Sequence, residues 1–306
     1  MSRDPGRTIR LVRDGAEAEI ALRGAEPVRW RVGGRDLLWS GDPAHWSYHA
    51  PILFPVVGAS RDGRIGIGGR SYPMPQHGFA RVSDFALVER DEASARLRLL
   101  DTDDTRASFP FAFRLDIVAT LAADSLALDF EVSNTGADAM PYALGFHPAF
   151  PWPLAGPGKA GHRVAFEAAE RPTVPEVAPG GLLARTTREV PLQGRILPLD
   201  PELFTEALVF LEARSRSFGF EGPDEAAIAL RAENFPHLAV WSRPDAPFLS
   251  LETWTGHADW EDANGDLAAR ASMIRLEGGD ARRHRVVMAA RGPAGVQPAA
   301  CLDLGP

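Results

Sequence analysis

Alternation of apolar and polar residues with a period of two runs through most of this chain, and it limits the chain to β-structure. In RLDIVATLAADSLALDFEVSNTG, residues 114–136, Leu115, Ile117 and Ala119 point one way. After a short polar break, Leu126, Leu128, Phe130 and Val132 repeat the pattern. Successive side chains of a strand face opposite sides, so this spacing separates a buried face from a wet one and predicts an antiparallel hairpin. Asn134–Gly136 then supplies turn chemistry. LAVWSRPDAPFLSLE, residues 238–252, reads the same way, with its turn at Arg243–Pro247. No stretch keeps a 3.6-residue apolar period over three turns. DPELFTEALVFLEARS, residues 200–215, comes nearest and predicts helix only in its first turn. The 29 glycines and 26 prolines lie among such strands, and FPWPLAGPGKAGH (150–162) and RPTVPEVAPGGLLART (171–186) read as surface loops. The expectation is an all-β fold, one large antiparallel β-sandwich formed by residues 1–306, with its core across about residues 20–290 and a loosely held tail after about Arg291.

Charge and composition narrow the chemistry. A formal net charge of -8 argues against nucleic acid or an anionic membrane surface as the main partner. Lys159 is the only lysine, so arginine carries nearly all the positive charge. That argues against Schiff-base and pyridoxal-phosphate chemistry, which need a neutral lysine amine. The single cysteine, Cys301, leaves no partner for an intrachain disulfide or a thiolate-metal site. The N-terminal residues lack the apolar run of a signal peptide, and no apolar run approaches the roughly 20 residues needed to span a bilayer. A soluble, cytoplasmic protein, monomer or homodimer, is expected.

Nucleotide signatures are missing: there is no GxxxxGK[ST], and GRIGIGGR (63–70) lacks the spacing of a dinucleotide loop. GxSxG is absent as well. His45 and His49, in HWSYH, have i, i+4 spacing but no helical pattern around them, so neither a metal site nor a cofactor is expected.

Acid–base candidates are better placed. His147, in ALGFHPAF, precedes Pro148, whose ring confines it to extended backbone and ends a strand there. An imidazole at a strand end donates or accepts a proton near neutral pH, although a histidine satisfied by a backbone carbonyl is the simpler reading of that residue alone. Alternation in PFLSLETW puts Phe248, Ser250 and Glu252 on one face and Leu249 and Leu251 on the other. Both faces are largely apolar, so Glu252 lies in or beside a pocket, where desolvation raises a carboxylate's pKa and suits it to act as a base. An exposed edge-strand glutamate, or a structural carboxylate paired with an arginine such as Arg243, is the structural alternative. Trp241 and Trp254 offer flat surfaces for a sugar or fill the core. PMPQHGFARVSDF (73–85) is a loop with two donors, His77 and Arg81, suited to hydroxyls or a phosphate; an Arg81–Asp84 surface pair is its plainer reading.

Together these stretches resemble the aldose 1-epimerase (galactose mutarotase-like) family, in the branch with an HGFAR loop. The similarity runs from RGAEPVRW (23–30) to RRHRVVM (282–288). LLWSGDPAHW, PILFPVVG, QHGFAR, LGFHPAF and SLETWTGHAD stand in order between them. The resemblance implies a β-supersandwich and cofactor-free interconversion of the α and β anomers of a sugar. It implies Glu252 as the base at the anomeric hydroxyl, His147 as the acid at the ring oxygen, His77 as a helper at the sugar oxygens and Arg81 as a substrate contact. Two positions depart from the family. Its arginine after the Phe-Pro segment is matched by Ala59, leaving Arg61 or Arg64 as substitutes. Its substrate-binding aspartate is matched by Glu206, one methylene longer, which points to altered hydroxyl recognition. The implied partner is a small sugar or sugar phosphate. A hexose-6-phosphate 1-epimerase, a non-catalytic carbohydrate-binding protein on the same scaffold and, more remotely, a metal-dependent sugar isomerase are the competing readings.

Overall fold

The alternating stretches pair as their spacing predicts. In the computed structural model, which describes residues 6–154, 156–224 and 226–291, Phe113–Leu121 and Ser125–Asn134 form an antiparallel hairpin. Its register sets Leu115 opposite Val132, Ile117 opposite Phe130 and Ala119 opposite Leu128. This hairpin lies inside a nine-stranded antiparallel sheet that also contains the long strand Ala281–Arg291. A second sheet of six strands carries Leu208–Phe210, His237–Trp241, Phe248–Trp254, Gly145–Phe146 and Ile52–Leu53 in that order, with Ala149–Pro151 also paired to Phe248–Trp254. The two sheets face each other: the Phe130 and Phe146 rings stand 6.3 Å apart across the interface, and Phe166 and Phe210 stand 4.9 Å apart. The fold is therefore an all-β sandwich of antiparallel sheets, with apolar side chains from both inner faces forming its core.

The residues 200–215 behave as read, with a short 3-10 turn at Pro201–Leu203 capped by the Asp200 carboxylate, then the strand Leu208–Phe210. The reading of residues 171–186 as a plain surface loop is corrected. They enter a two-stranded hairpin, Thr173–Ala178 with Leu182–Glu189, whose register shifts between Pro175 and Val177. A proline cannot donate to a ladder, and the shift accommodates it at a bulge. The C-terminal tail and Cys301 lie outside the described residues. Among the described residues no helix is long and apolar enough to cross a membrane.

The core satisfies some of the polar groups it encloses, whereas Trp30 Nε1 and Thr253 Oγ1 have no hydrogen-bond partner among the described residues. His284, on Ala281–Arg291, faces the Asn234 carbonyl through Nδ1 and Tyr142 Oη through Nε2, at 3.0 and 2.9 Å. A carbonyl only accepts, so Nδ1 carries the hydrogen and the tyrosine hydroxyl donates to Nε2. Burial holds this histidine's pKa down to about 4, so it stays neutral.

Candidate active site

The central strand of the six-stranded sheet, Phe248–Trp254, is buried along its whole length. Leu249 and Leu251 enter the main core. Phe248 joins a small cluster with Trp39, Ala149 and Ala246, and Trp254 joins another with Leu53, Val57, Ala143 and Ala239. Ser250 and Glu252 lie between these clusters on the face opposite Leu249 and Leu251, a two-residue polar strip with an apolar cluster at each end.

His147 reaches this strip from the break between Gly145–Phe146 and Ala149–Pro151, both of which pair with Phe248–Trp254. The Pro148 carbonyl accepts from Leu251 N–H across the break. The imidazole thus sits over the neighbouring strand, with Nδ1 3.1 Å from Ser250 Oγ and Nε2 3.2 Å from Glu252 Oε2. Trp254 Nε1 donates to the same carboxylate oxygen at 3.0 Å. Glu252 is 1% exposed and His147 7%. Arg243 turns elsewhere, donating to the His45 carbonyl, so it is not the partner of Glu252 that one reading of the sequence offered.

Burial lifts the Glu252 carboxyl well above the usual carboxylate range, against the opposing effect of the Trp254 N–H. Desolvation pushes the His147 imidazole well below its usual value, helped by His77 and Arg81. Both directions state one fact. The net-charged states of the pair, with no proton or with two, are disfavoured by burial, so over a wide pH range the pair holds a single proton.

Aromatic rings frame His147. Trp46 stacks on it with centroids 4.8 Å apart, and Trp241 meets it edge-on at 5.5 Å. The loop bearing His77 and Arg81 is anchored by Phe79, which packs on Phe54 and Phe113 in the core. The His77 ring stands edge-on to His147 at 6.0 Å. Its Nδ1 accepts from the Gly58 N–H at 3.1 Å, which leaves the ring hydrogen on Nε2. Desolvation first and the Arg81 cation second push its pKa down to about 3. His77 is therefore a neutral hydrogen-bond donor and not a second acid. The Arg81 guanidinium lies 5.1 Å from the centre of the Tyr48 ring and donates to the Gln76 carbonyl.

Gly78 sets this loop against the strand end. It adopts φ +71°, and a Cβ there would lie 2.2 Å from the Phe54 carbonyl oxygen, which itself accepts from Phe79 and Ala80 N–H. The substitution Gly78→Ala combines left-handed backbone strain with a backbone clash. It is expected to lower unfolding free energy by roughly 3 kcal/mol in denaturant titration; an unchanged midpoint would show that the loop gives way freely.

The other expected contacts each engage partners of their own. Arg61 donates to the Ala263 carbonyl and lies 3.9 Å from Asp62, while Arg64 bonds Ser71. Glu206 uses Oε2 to accept from the Val177 N–H of the hairpin Thr173–Ala178/Leu182–Glu189. Ala59 is buried, with its Cβ 3.6 Å from the position a Gly181 Cβ would take at the tip of that hairpin. His45 packs edge-on to Trp39, while His49 lies 3.7 Å from Glu26. Among the described residues no group of three or more His, Cys, Asp and Glu side chains is placed to hold a metal.

Three contributors escaped the sequence reading. Trp254, a stacking surface or a core residue from sequence, packs in a buried cluster and sets its indole N–H on the Glu252 carboxylate, two residues away on the same strand face. Ser250 shared that face and was given no role. Trp46 lies in HWSYH, read only for its histidines.

The model of the aldose 1-epimerase family matches residues 7–264, and this chain belongs to that family. Protein LacX of Lactococcus lactis subsp. lactis, in plasmid and chromosomal copies, is 31% identical over 235 residues, 73% of this chain and 79% of the relative. A galactose mutarotase-like protein from Lactobacillus casei superposes with a TM-score of 0.87 at 27% identity, covering 93% of this chain and all of that one. A galactose mutarotase related enzyme from Lactobacillus acidophilus shares the fold with the same TM-score at 24% identity, covering 94% of this chain and 98% of the other.

Proposed function

We propose that this chain is a sugar 1-epimerase that interconverts α and β anomers by general acid–base catalysis with Glu252 and His147. The observation that carries the reading is the 3.2 Å separation of His147 Nε2 and Glu252 Oε2 in a buried strip. The anomeric hydroxyl and the ring oxygen of a pyranose are bonded to one carbon. A base and an acid this close can address both at once.

In the ring-opening direction Glu252 takes the proton of the C1 hydroxyl as the C1–ring-oxygen bond breaks, and His147 gives a proton to the departing ring oxygen. A carbonyl forms at C1. Rotation about the C1–C2 bond presents its other face, and closure runs the same transfers in reverse. The pair ends with the proton count it began with, in keeping with burial that favours one shared proton. His77, through Nε2–H, and Arg81 are the donors for sugar oxygens, and Trp46 and Trp241 the apolar walls. General acid and base groups contribute about 10²–10⁴-fold each.

Membership of the family and likeness to a galactose mutarotase-like fold support the reaction class. The test is anomer exchange followed by NMR over a panel of pentoses, hexoses and their phosphates. Acceleration with at least one free aldose is expected. Acceleration confined to phosphorylated sugars would move the substrate to a hexose phosphate, and none with any of them would sink the proposal in favour of a binding protein.

A further inference from the structure

Ser250 lies fully buried at the bottom of the site. Among the described residues the only hydrogen-bond partner of its hydroxyl is His147 Nδ1, 3.1 Å away. Two residues on, along the same face, Glu252 meets the other ring nitrogen. The imidazole is thus held at both nitrogens by one strand, while Trp46 stacks on its face.

A neutral imidazole has one N–H, and two arrangements are compatible with these contacts, the second leaving the Ser250 hydroxyl hydrogen without an acceptor among the described residues. In the first, the hydrogen is on Nε2, pointing at Glu252, and the Ser250 hydroxyl donates to Nδ1. A histidine in that form cannot give up its Nε2 proton without becoming an imidazolate. In the second, Nδ1–H donates to Ser250 Oγ and a protonated Glu252 donates to Nε2. A proton then passes from Glu252 to Nε2 and back with no other hydrogen moving, because Nδ1–H···Oγ is present both before and after. Among the described residues no arginine or lysine pairs with Glu252; its hydrogen-bonding neighbours there are His147 and Trp254.

We infer that Ser250 is a positioning residue that keeps the ring hydrogen of His147 on Nδ1, so that Nε2 is the nitrogen that exchanges protons with Glu252 and the sugar ring oxygen. His284 meets the same requirement in the core with the Asn234 carbonyl. The part of the inference that concerns turnover rests on the proposed epimerase reading; the tautomer does not.

The experiment is heteronuclear NMR of protein carrying ¹⁵N-labelled histidine, with and without Ser250→Ala, alongside anomer-exchange kinetics. In the unsubstituted protein His147 is expected to show a protonated Nδ1 and an acceptor Nε2. Ser250→Ala should move the ring to an Nε2–H form or a mixture. It should also lower kcat about tenfold, the scale of losing one orienting hydrogen bond, while KM stays within about twofold. Ser250→Thr, which restores a hydroxyl, should recover the Nδ1–H form and most of kcat. An Nε2–H tautomer in the unsubstituted protein overturns the inference, as does a Ser250→Ala protein with unchanged tautomer and kcat. If Ser250→Ala does not fold, the unsubstituted and Ser250→Thr spectra still decide. An unsubstituted protein with the Nδ1–H tautomer that exchanges no sugar would defeat the epimerase reading and leave the tautomer assignment intact.

Discussion

His147→Asn is expected to leave a folded protein that still binds its sugar and has lost about 10²–10⁴-fold in kcat, the contribution of one general acid. Asparagine is smaller than histidine and keeps polar atoms near Ser250 and Glu252, but it cannot hold or release a proton near neutral pH. The ring it removes is stacked on Trp46 and edged by Trp241 and His77. Some packing is lost, and the folded fraction must be measured by circular dichroism and thermal melting beside the kinetics. Turnover per folded molecule is the deciding quantity. If the variant unfolds while activity per folded molecule is unchanged, His147 is a core histidine satisfied by its neighbours and the acid must be sought elsewhere.

The sequence carried the local part of this arrangement well. Period two predicted both hairpins, placed Phe248, Ser250 and Glu252 on one face, and left a turn before Phe248. What it could not carry was adjacency. Ser250 and His147 are separated by 103 positions, and alternation says which side of a strand a residue faces but not which strand lies next to it. The family resemblance named His147 and Glu252 together; their contact follows from the pairing of Phe248–Trp254 with the short strands on either side of His147. The misread hairpin at Thr173–Ala178 shows the opposite limit. Three prolines and paired glycines resemble loop chemistry, yet a bulge absorbs Pro175 and the glycines form the tip. Glu206 belongs to the same blind spot. Its match to a family position said nothing of the Val177 N–H that engages one of its oxygens.

Glu252→Gln is expected to lower kcat by about 10³-fold or more while leaving the fold intact, and to do so at every pH. Glutamine has the same length, so its carbonyl oxygen can still accept from Trp254 Nε1, and no buried charge is left unpaired. The variant's melting temperature should match or exceed that of the unsubstituted protein, because a buried ionisable group has been replaced by a neutral one. Chemistry fails because an amide takes no proton from the anomeric hydroxyl. The pH profile of the unsubstituted protein sharpens the test. Burial raises the Glu252 pKa and lowers that of His147, so the pH window in which the pair holds a single proton is widened at both ends. Activity should therefore be flat across that window. It should fall on the acid side only below the ordinary histidine range, where the pair gains a second proton, and on the alkaline side only well above the ordinary carboxylate range, where it loses the one it has. Glu252→Asp keeps the carboxylate but draws it back by a methylene, and should retain part of the activity with the same flat profile. A Glu252→Gln protein that exchanges anomers at near the unsubstituted rate would remove the glutamate from the chemistry, and the 3.2 Å contact with His147 would then be structural.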